Sequence, residues 1–100
     1  MAIVKWTDFA VDNLVDIGEY IGKDSIKYAK IVVKYLFTST DILKRHPYIG
    51  KMVPEFNNPI IRELVRGSYR IIYRIVDEKQ IDIITVHHSA RLLKITSLTY

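Results

Sequence analysis

The period of the apolar residues changes partway along this chain, and that change restricts its fold more than any other feature. From Ala10 to Leu43 the apolar positions recur every three or four residues, the spacing of one helix face. From residue 60 onward they gather instead into short runs rich in Ile, Val and Tyr, the composition of strands. Between the two regimes, residues 46–59 hold all three prolines and read as a loop. The chain is therefore helical first and sheet-forming afterwards.

Within the helical part, residues 3–6 form a short strand, and Thr7 before Asp8 is a helix N-cap with an acid in the first turn. Ala10, Leu14, Ile17 and Ile21 fall on one side of that helix, with Asp8, Asp12, Asp16 and Glu19 opposite. Gly22-Lys23-Asp24 interrupts the pattern. Ser25 caps a second helix, expected to run on to just before Pro47, whose stripe is Ile26, Ala29, Val33, Leu36, Thr40 and Leu43. Lys27, Lys30 and Lys34 give it a basic edge. So short a connection favours an antiparallel helical hairpin.

Residues 60–65, 69–76 and 81–87 read as three strands of an antiparallel meander, separated by Arg66-Gly67-Ser68 and Asp77-Glu78-Lys79-Gln80. The expected fold class is α+β: strand, helical hairpin, then the meander, with the helices on one sheet face. A two-residue turn at Gly67-Ser68 sets Arg66 opposite Tyr69, Leu64 opposite Ile71 and Ile61 opposite Arg74. Symmetric closure of the second turn then pairs Val76 with Ile81, Arg74 with Ile83 and Arg70 with His87. In that register one face carries Glu63, Arg70, Arg74 and His87. The other carries Tyr69, Ile71, Tyr73, Ile75, Ile84 and Val86 and is expected beneath the helices. A slip of one residue would exchange the two faces.

One hundred residues, 49% of them hydrophobic and 26% charged, fit a single folded domain spanning 1–100 and not a disordered segment. With no cysteine, thiol catalysis, thiolate metal sites and disulfide scaffolds are excluded. No apolar run reaches the ~18 residues of a membrane span and the first residues lack a signal-peptide pattern, so the expectation is a cytoplasmic protein without a membrane partner. The net charge of +4 is unevenly spread. Residues 1–24 hold two lysines against five acids, whereas residues 25–76 hold ten Lys and Arg against three acids. The middle of the chain therefore suits an anionic partner, by a salt-dependent association.

Phosphodiester cleavage needs a base, an acid and cations for the charged transition state. Glu55, Arg70, Arg74 and one of His87 and His88 supply those types. The structural alternative is a surface Glu55, sheet arginines paired with Glu63, and two histidines ending a strand. Adjacent strand residues point to opposite faces, so His87 and His88 do not chelate one ion, and no metal is expected. Phosphate-loop, dinucleotide and serine-nucleophile signatures are absent, and no cofactor is implied. Tyr69 and Tyr73 have the spacing of a base-stacking platform, although core packing is the better explanation of them. Trp6 and Phe9 are expected in the core.

In order along the chain, Trp6-Thr7, Ala29, His46-Pro47-x-x-Gly50-Lys51, Val53-Pro54-Glu55, Ile61-Arg62-Glu63-Leu64, Tyr69-Arg70-Ile71-Ile72-Tyr73-Arg74 and Val86-His87-His88-x-x-Arg91 resemble the RelE/ParE toxin superfamily. The resemblance implies the fold read above and the toxin of a type II toxin-antitoxin pair, with a cognate antitoxin as partner. It also implies one of two targets: the ribosome and its messenger RNA, cleaved as by RelE-like nucleases, or DNA gyrase, inhibited as by ParE-like members. Arg70 matches the arginine that RelE-like nucleases set against the scissile phosphate, while the lysines of their preceding strand fall near Ile61 and Glu63 and are missing. By likeness to the YoeB-like subgroup, Glu55 would be base, Arg70 phosphate clamp and His87 or His88 acid. Arg62, Arg66, Arg74 and Arg91 would contact target or phosphate. The antitoxins of such pairs wrap their toxins with an acidic segment that folds on binding, which suits the basic middle of this chain.

Overall fold

The computed structural model of the chain describes residues 1–90 and Leu93. Strand β1 (Ile3–Trp6) leads into helix α1 (Asp8–Gly22) and helix α2 (Ile26–Thr38), followed by a 3-10 helix (Ser39–Lys44) and strands β2 (Lys51–Met52), β3 (Ile61–Arg66), β4 (Tyr69–Asp77) and β5 (Gln80–His88). The strands form one sheet in the order β1-β5-β4-β3-β2. Only β1 runs parallel to its neighbour, β5. The expected α+β arrangement is thus present: the strand read at residues 3–6 joins the sheet at one edge as β1, and β2, within the segment read as loop, is the one strand not anticipated.

Both helices begin where capping chemistry places them. The Thr7 hydroxyl accepts from the Ala10 N–H at 3.2 Å and donates to the Ile83 carbonyl at 2.8 Å, so one side chain both starts α1 and ties it to β5. The Ser25 hydroxyl accepts from the Tyr28 N–H in the same manner. Past Thr38, the chain tightens into 3-10 geometry instead of continuing α2, while Ser39 and Thr40 donate to carbonyls three residues back. Thr40 and Leu43 remain buried as the spacing predicts, but on the tighter helix.

Ala10, Leu14, Leu36 and Leu43 from the helical side pack on Leu64, Ile71, Tyr73, Ile75, Ile81, Ile83 and Val86 of the sheet. Two expected core residues lie outside it. Phe9 is exposed because Ala10, Leu14 and Ile17 already take the inward face of α1, and Ile26 overhangs at the first position of α2. Trp6 is half-buried and lies against Phe37, ring centroids 5.3 Å apart.

The β3–β4 register is the one expected: Gly67, at φ +59°, opens a two-residue turn that pairs Arg66 with Tyr69 and Ile61 with Arg74. The β4–β5 register holds from Tyr69–His88 to Ile72–Thr85, then slips by one, so Arg74 faces Asp82 and Ile75 faces Ile81; a second slip restores the frame at Asp77–Gln80. The expected pairs Val76–Ile81 and Arg74–Ile83 are therefore not formed. The extra residue in β5 is Ile84, and the bulge turns it onto the opposite face, into a second apolar cluster with Val53, Ile61, Ile72 and Leu93. Ile81 and Ile83 take its place under the helices.

The segment before β3 is held to the sheet by Tyr73. Its buried hydroxyl donates to the Pro47 carbonyl at 2.7 Å and accepts from the Gly50 N–H at 3.0 Å, and burial raises its pKa. Gly50 sits so close that a Cβ there would lie 2.6 Å from the Glu63 carbonyl oxygen and from the Tyr73 hydroxyl. Arg62 completes the attachment, donating to the carbonyls of Gly50 and Pro59 while its guanidinium lies 5.0 Å from the Tyr48 ring centre. Removing the hydroxyl in Tyr73→Phe strands a buried Gly50 N–H, so we expect a loss of about 1–3 kcal/mol in urea unfolding with an unchanged slope.

Candidate functional site

On the sheet face away from the helices, Arg70 of β4 lies between two carboxylates. Its Nε and Nη2 donate to Glu63 at 3.0 and 2.7 Å. Its Nη1 and Nη2 donate to Glu55 at 2.8 and 3.0 Å. The guanidinium thus meets a carboxylate along two of its edges, the bidentate geometry that Arg favours and Lys cannot reproduce. Burial falls steadily across the group: the side chain of Glu63 is 3% exposed, Arg70 14% and Glu55 33%. The hydrogen bonds from Arg70 outweigh the opposing effect of burial and hold the Glu55 carboxyl at about 2, with the field of His87 adding slightly. Hydrogen bonds to Glu55 and then Glu63 move the Arg70 guanidinium further into its charged form.

Two pieces of local structure assemble this cluster. Glu63 and Arg70 are brought to one face by the Gly67-Ser68 turn, which pairs Glu63 with Ile72 and Val65 with Arg70. Glu55 arrives by the preceding segment. After β2, buried Val53 donates its N–H to the Ile61 carbonyl, and its own carbonyl accepts from Phe56 and Asn57, closing a single turn around Pro54 and Glu55. That turn carries the Glu55 carboxylate to Arg70.

His87 lies opposite Arg70 on β5, so Glu55, Arg70 and His87 share one face. His88 does not join them: it pairs with Tyr69 on the helix side, edge-on to that ring at 5.4 Å, and its Nδ1 accepts from the Ala90 N–H. Arg74 occupies the Arg70 face opposite Asp82. Arg62 and Arg66 are on the other face, Arg62 bound to the loop as described and Arg66 donating to the Val65 carbonyl at 2.8 Å. Arg91 lies outside the described residues. Tyr73, fully buried, packs in the core and offers no stacking surface. Sequence reasoning set Glu63 beside the sheet arginines but left out the direct Glu55–Arg70 contact. The resemblance groups Glu55 with Arg70 in one candidate site, but the course of the loop that brings them together is not set by local sequence.

A second feature, not anticipated from sequence as a site, is an open groove of about 820 Å³ along the helical hairpin, lined by residues that include Leu14, Val15, Gly18, Ile26, Val33 and Phe37. Val15, Ile26 and Phe37 are each at least half exposed beside it. Among the described residues, no helix is long and apolar enough to cross a membrane.

Both the sequence and the fold of this chain are similar to those of known proteins. Residues 4–93 match the family described as "ParE toxin of type II toxin-antitoxin system, parDE". The chain is 33% identical over 92 residues to the protein named Toxin RelE2 of Caulobacter vibrioides, covering 92% of this chain and all of that one. It is 35% identical over 88 residues to the putative toxin Y4kP of Sinorhizobium fredii, covering 86% of each. Its fold matches a chain of the chromosomal ParDE system from P. aeruginosa with a TM-score of 0.71 at 24% identity, over 88% of this chain and 96% of that one. A chain of the toxin-antitoxin complex RelBE2 from Mycobacterium tuberculosis matches with a TM-score of 0.55 at 28% identity, over 87% and 96%. The chain belongs to the ParE toxin family, within the RelE/ParE superfamily of type II toxin-antitoxin systems.

Two outcomes follow from the cluster. Because the folded-state pKa of Glu55 is depressed, its contribution to stability is complete above about 4.5 and is lost as pH falls toward about 2. Acid unfolding of Glu55→Gln should lose that part of its pH dependence, and carbon-detected NMR titration of Glu55 should give a midpoint near 2. Separately, Arg70→Ala leaves the enclosed Glu63 carboxylate unpaired and should cost about 3–5 kcal/mol in denaturant unfolding. Pairing Arg70→Met with Glu63→Leu should recover most of that loss.

Proposed function

We infer that this toxin arrests growth as a stoichiometric, ParE-like inhibitor of DNA gyrase in the cytoplasm, without cutting messenger RNA, and that a cognate antitoxin neutralises it. The observation that carries this reading is the occupied guanidinium of Arg70. A phosphate clamp needs N–H groups directed at the phosphate, yet here two carboxylates take four hydrogen bonds from it. One cation between two carboxylates repels a phosphodiester rather than attracting it. A general base works best with a pKa near the working pH, and a carboxyl held at about 2 is a weak acceptor at neutrality. The same residues are well suited to building a rigid, hydrogen-bonded surface for a protein target. The antitoxin is supported by the solved relatives, which are described as toxin-antitoxin systems and complexes, and by the cationic excess in the middle of the chain.

The ribonuclease reading keeps one supporting observation, the gathering of Glu55, Arg70 and His87 on one face. Glu55→Gln separates the two, since it keeps an acceptor for Arg70 and removes the base. Induced in a bacterium, the variant should arrest growth within about twofold of the parent, with messages intact and supercoiling lost, whereas loss of a catalytic base costs ~10²-fold or more. Message cleavage at A-site codons that disappears in Glu55→Gln would overturn the proposal. Arg70 is unsuited to this test, because its replacement removes the partner of Glu63 and a loss of toxicity would report unfolding.

A further inference from the structure

With Arg70 shared by two carboxylates, the cationic excess of residues 25–76 must reach an anion elsewhere on the surface. Residues 44–52, at the β2 edge of the sheet, hold Lys44, Arg45 and Lys51 and no acid. Lys44 is paired with Asp41 at 3.5 Å, but among the described residues neither Arg45 nor Lys51 enters an ion pair, and both are exposed. The stretch between them is firmly held. The Ile49 N–H donates to the His46 carbonyl at 3.1 Å, closing a turn with Pro47 and Tyr48 at its centre. The Tyr73 hydroxyl fastens that turn on both sides, at Pro47 and Gly50, and the Arg62 guanidinium backs the Tyr48 ring. Tyr48 and Ile49 nevertheless stay more than half exposed, and Met52 beside them is 41% exposed. Exposed apolar side chains on a segment fixed by buried hydrogen bonds mark a contact surface built in advance.

The composition of the stretch identifies its occupant. Arg45, Lys51 and the Tyr48 hydroxyl are donors of the kind that contact phosphate oxygens. Nothing there reads a base edge: residues 44–52 contain no Asn, Gln, Ser or Thr, and Arg62 is committed to the Gly50 and Pro59 carbonyls. A single strand would call for successive stacking rings, whereas Tyr48 is the one Phe, Tyr or Trp in the stretch. We propose that residues 45–52 bind the backbone of duplex DNA without regard to sequence, with Arg45, Lys51 and Tyr48 on phosphates and Ile49 against the sugar edge. On β2, Met52 shares the Arg62 side and Lys51 turns toward the Glu63 side, so a backbone lying along this edge meets both. The proposal does not rest on the gyrase reading, since it uses neither Arg70 nor Glu55 and is measured on the chain alone.

The test is fluorescence anisotropy of a labelled duplex of ~20 base pairs, titrated with the full chain made by cell-free synthesis at ~50 to ~300 mM salt. We expect binding whose logarithm falls with the logarithm of salt at a slope of about −2, one unit for each of Arg45 and Lys51. Arg45→Ala with Lys51→Ala should weaken binding at least about tenfold at the lowest salt and bring the slope near zero. Tyr48→Phe keeps the ring on Arg62, loses one phosphate contact and should cost about threefold with the slope unchanged. Lys27→Ala with Lys30→Ala removes the same charge from exposed positions of α2 and should change binding less than about twofold. Duplexes of unrelated sequence should agree within about twofold. Far-UV circular dichroism checks that each variant is folded. No binding at the lowest salt would overturn the proposal, as would an equal loss in the α2 variant, which would make the attraction one of net charge. Tighter binding to a single strand of the same length, or to polyglutamate, would overturn it in favour of that occupant.

Discussion

A carboxylate as enclosed as that of Glu63 is stable in its charged form only beside a well-placed cation, and the sheet register delivers Arg70 to it. This pairing fixes the rest of the site. With its Nε edge committed to Glu63, the guanidinium turns its remaining edge to Glu55 on the turn after β2. Glu55 on that turn then has one favourable position, and the hydrogen bonds that hold it there are what lower its pKa. The turn itself is placed by groups reaching it from elsewhere: Tyr73 from within the core and Arg62 from β3. The residues that look most like an active site are thus also those that fasten the segment 46–59 to the sheet.

This double use bears on how a RelE/ParE fold can lose or change an activity while keeping its architecture. A nuclease needs its arginine available and its base near neutrality, whereas a rigid binding surface gains from having both locked. In this chain the local electrostatics favour locking. Two carboxylates surround one guanidinium, and the more enclosed of them, Glu63, stands on the neighbouring strand β3.

Much of the fold was legible because it rests on local signals. Thr7 and Ser25 cap the helices as their chemistry requires, and Gly67-Ser68 sets the β3–β4 register, which in turn places Glu63, Arg70 and His87 on one face. The departures come where tertiary packing overrides the repeat. Ile84 reads as one more alternating strand residue, yet a bulge turns it to the other face, into the cluster with Val53, Ile61 and Ile72. The end of α2 tightens into 3-10 geometry although its apolar spacing continues unbroken. The Glu55–Arg70 contact was the least legible feature, since it depends on a proline-bearing segment whose course is fixed by a tyrosine more than twenty residues downstream. The separation of His87 from His88, by contrast, needed only the alternation of a strand.

The central claim is that Arg70 is held by both carboxylates in the free toxin. Nitrogen-15 NMR of the arginine side chains reads this directly, because a guanidinium bonded along two edges cannot rotate freely about its Nε–Cζ bond. The account predicts an Arg70 Nε–H slow to exchange with water and Nη resonances resolved from one another. A single averaged, rapidly exchanging Arg70 signal, like that of the exposed Arg45, would contradict it and return the guanidinium to use as a phosphate clamp.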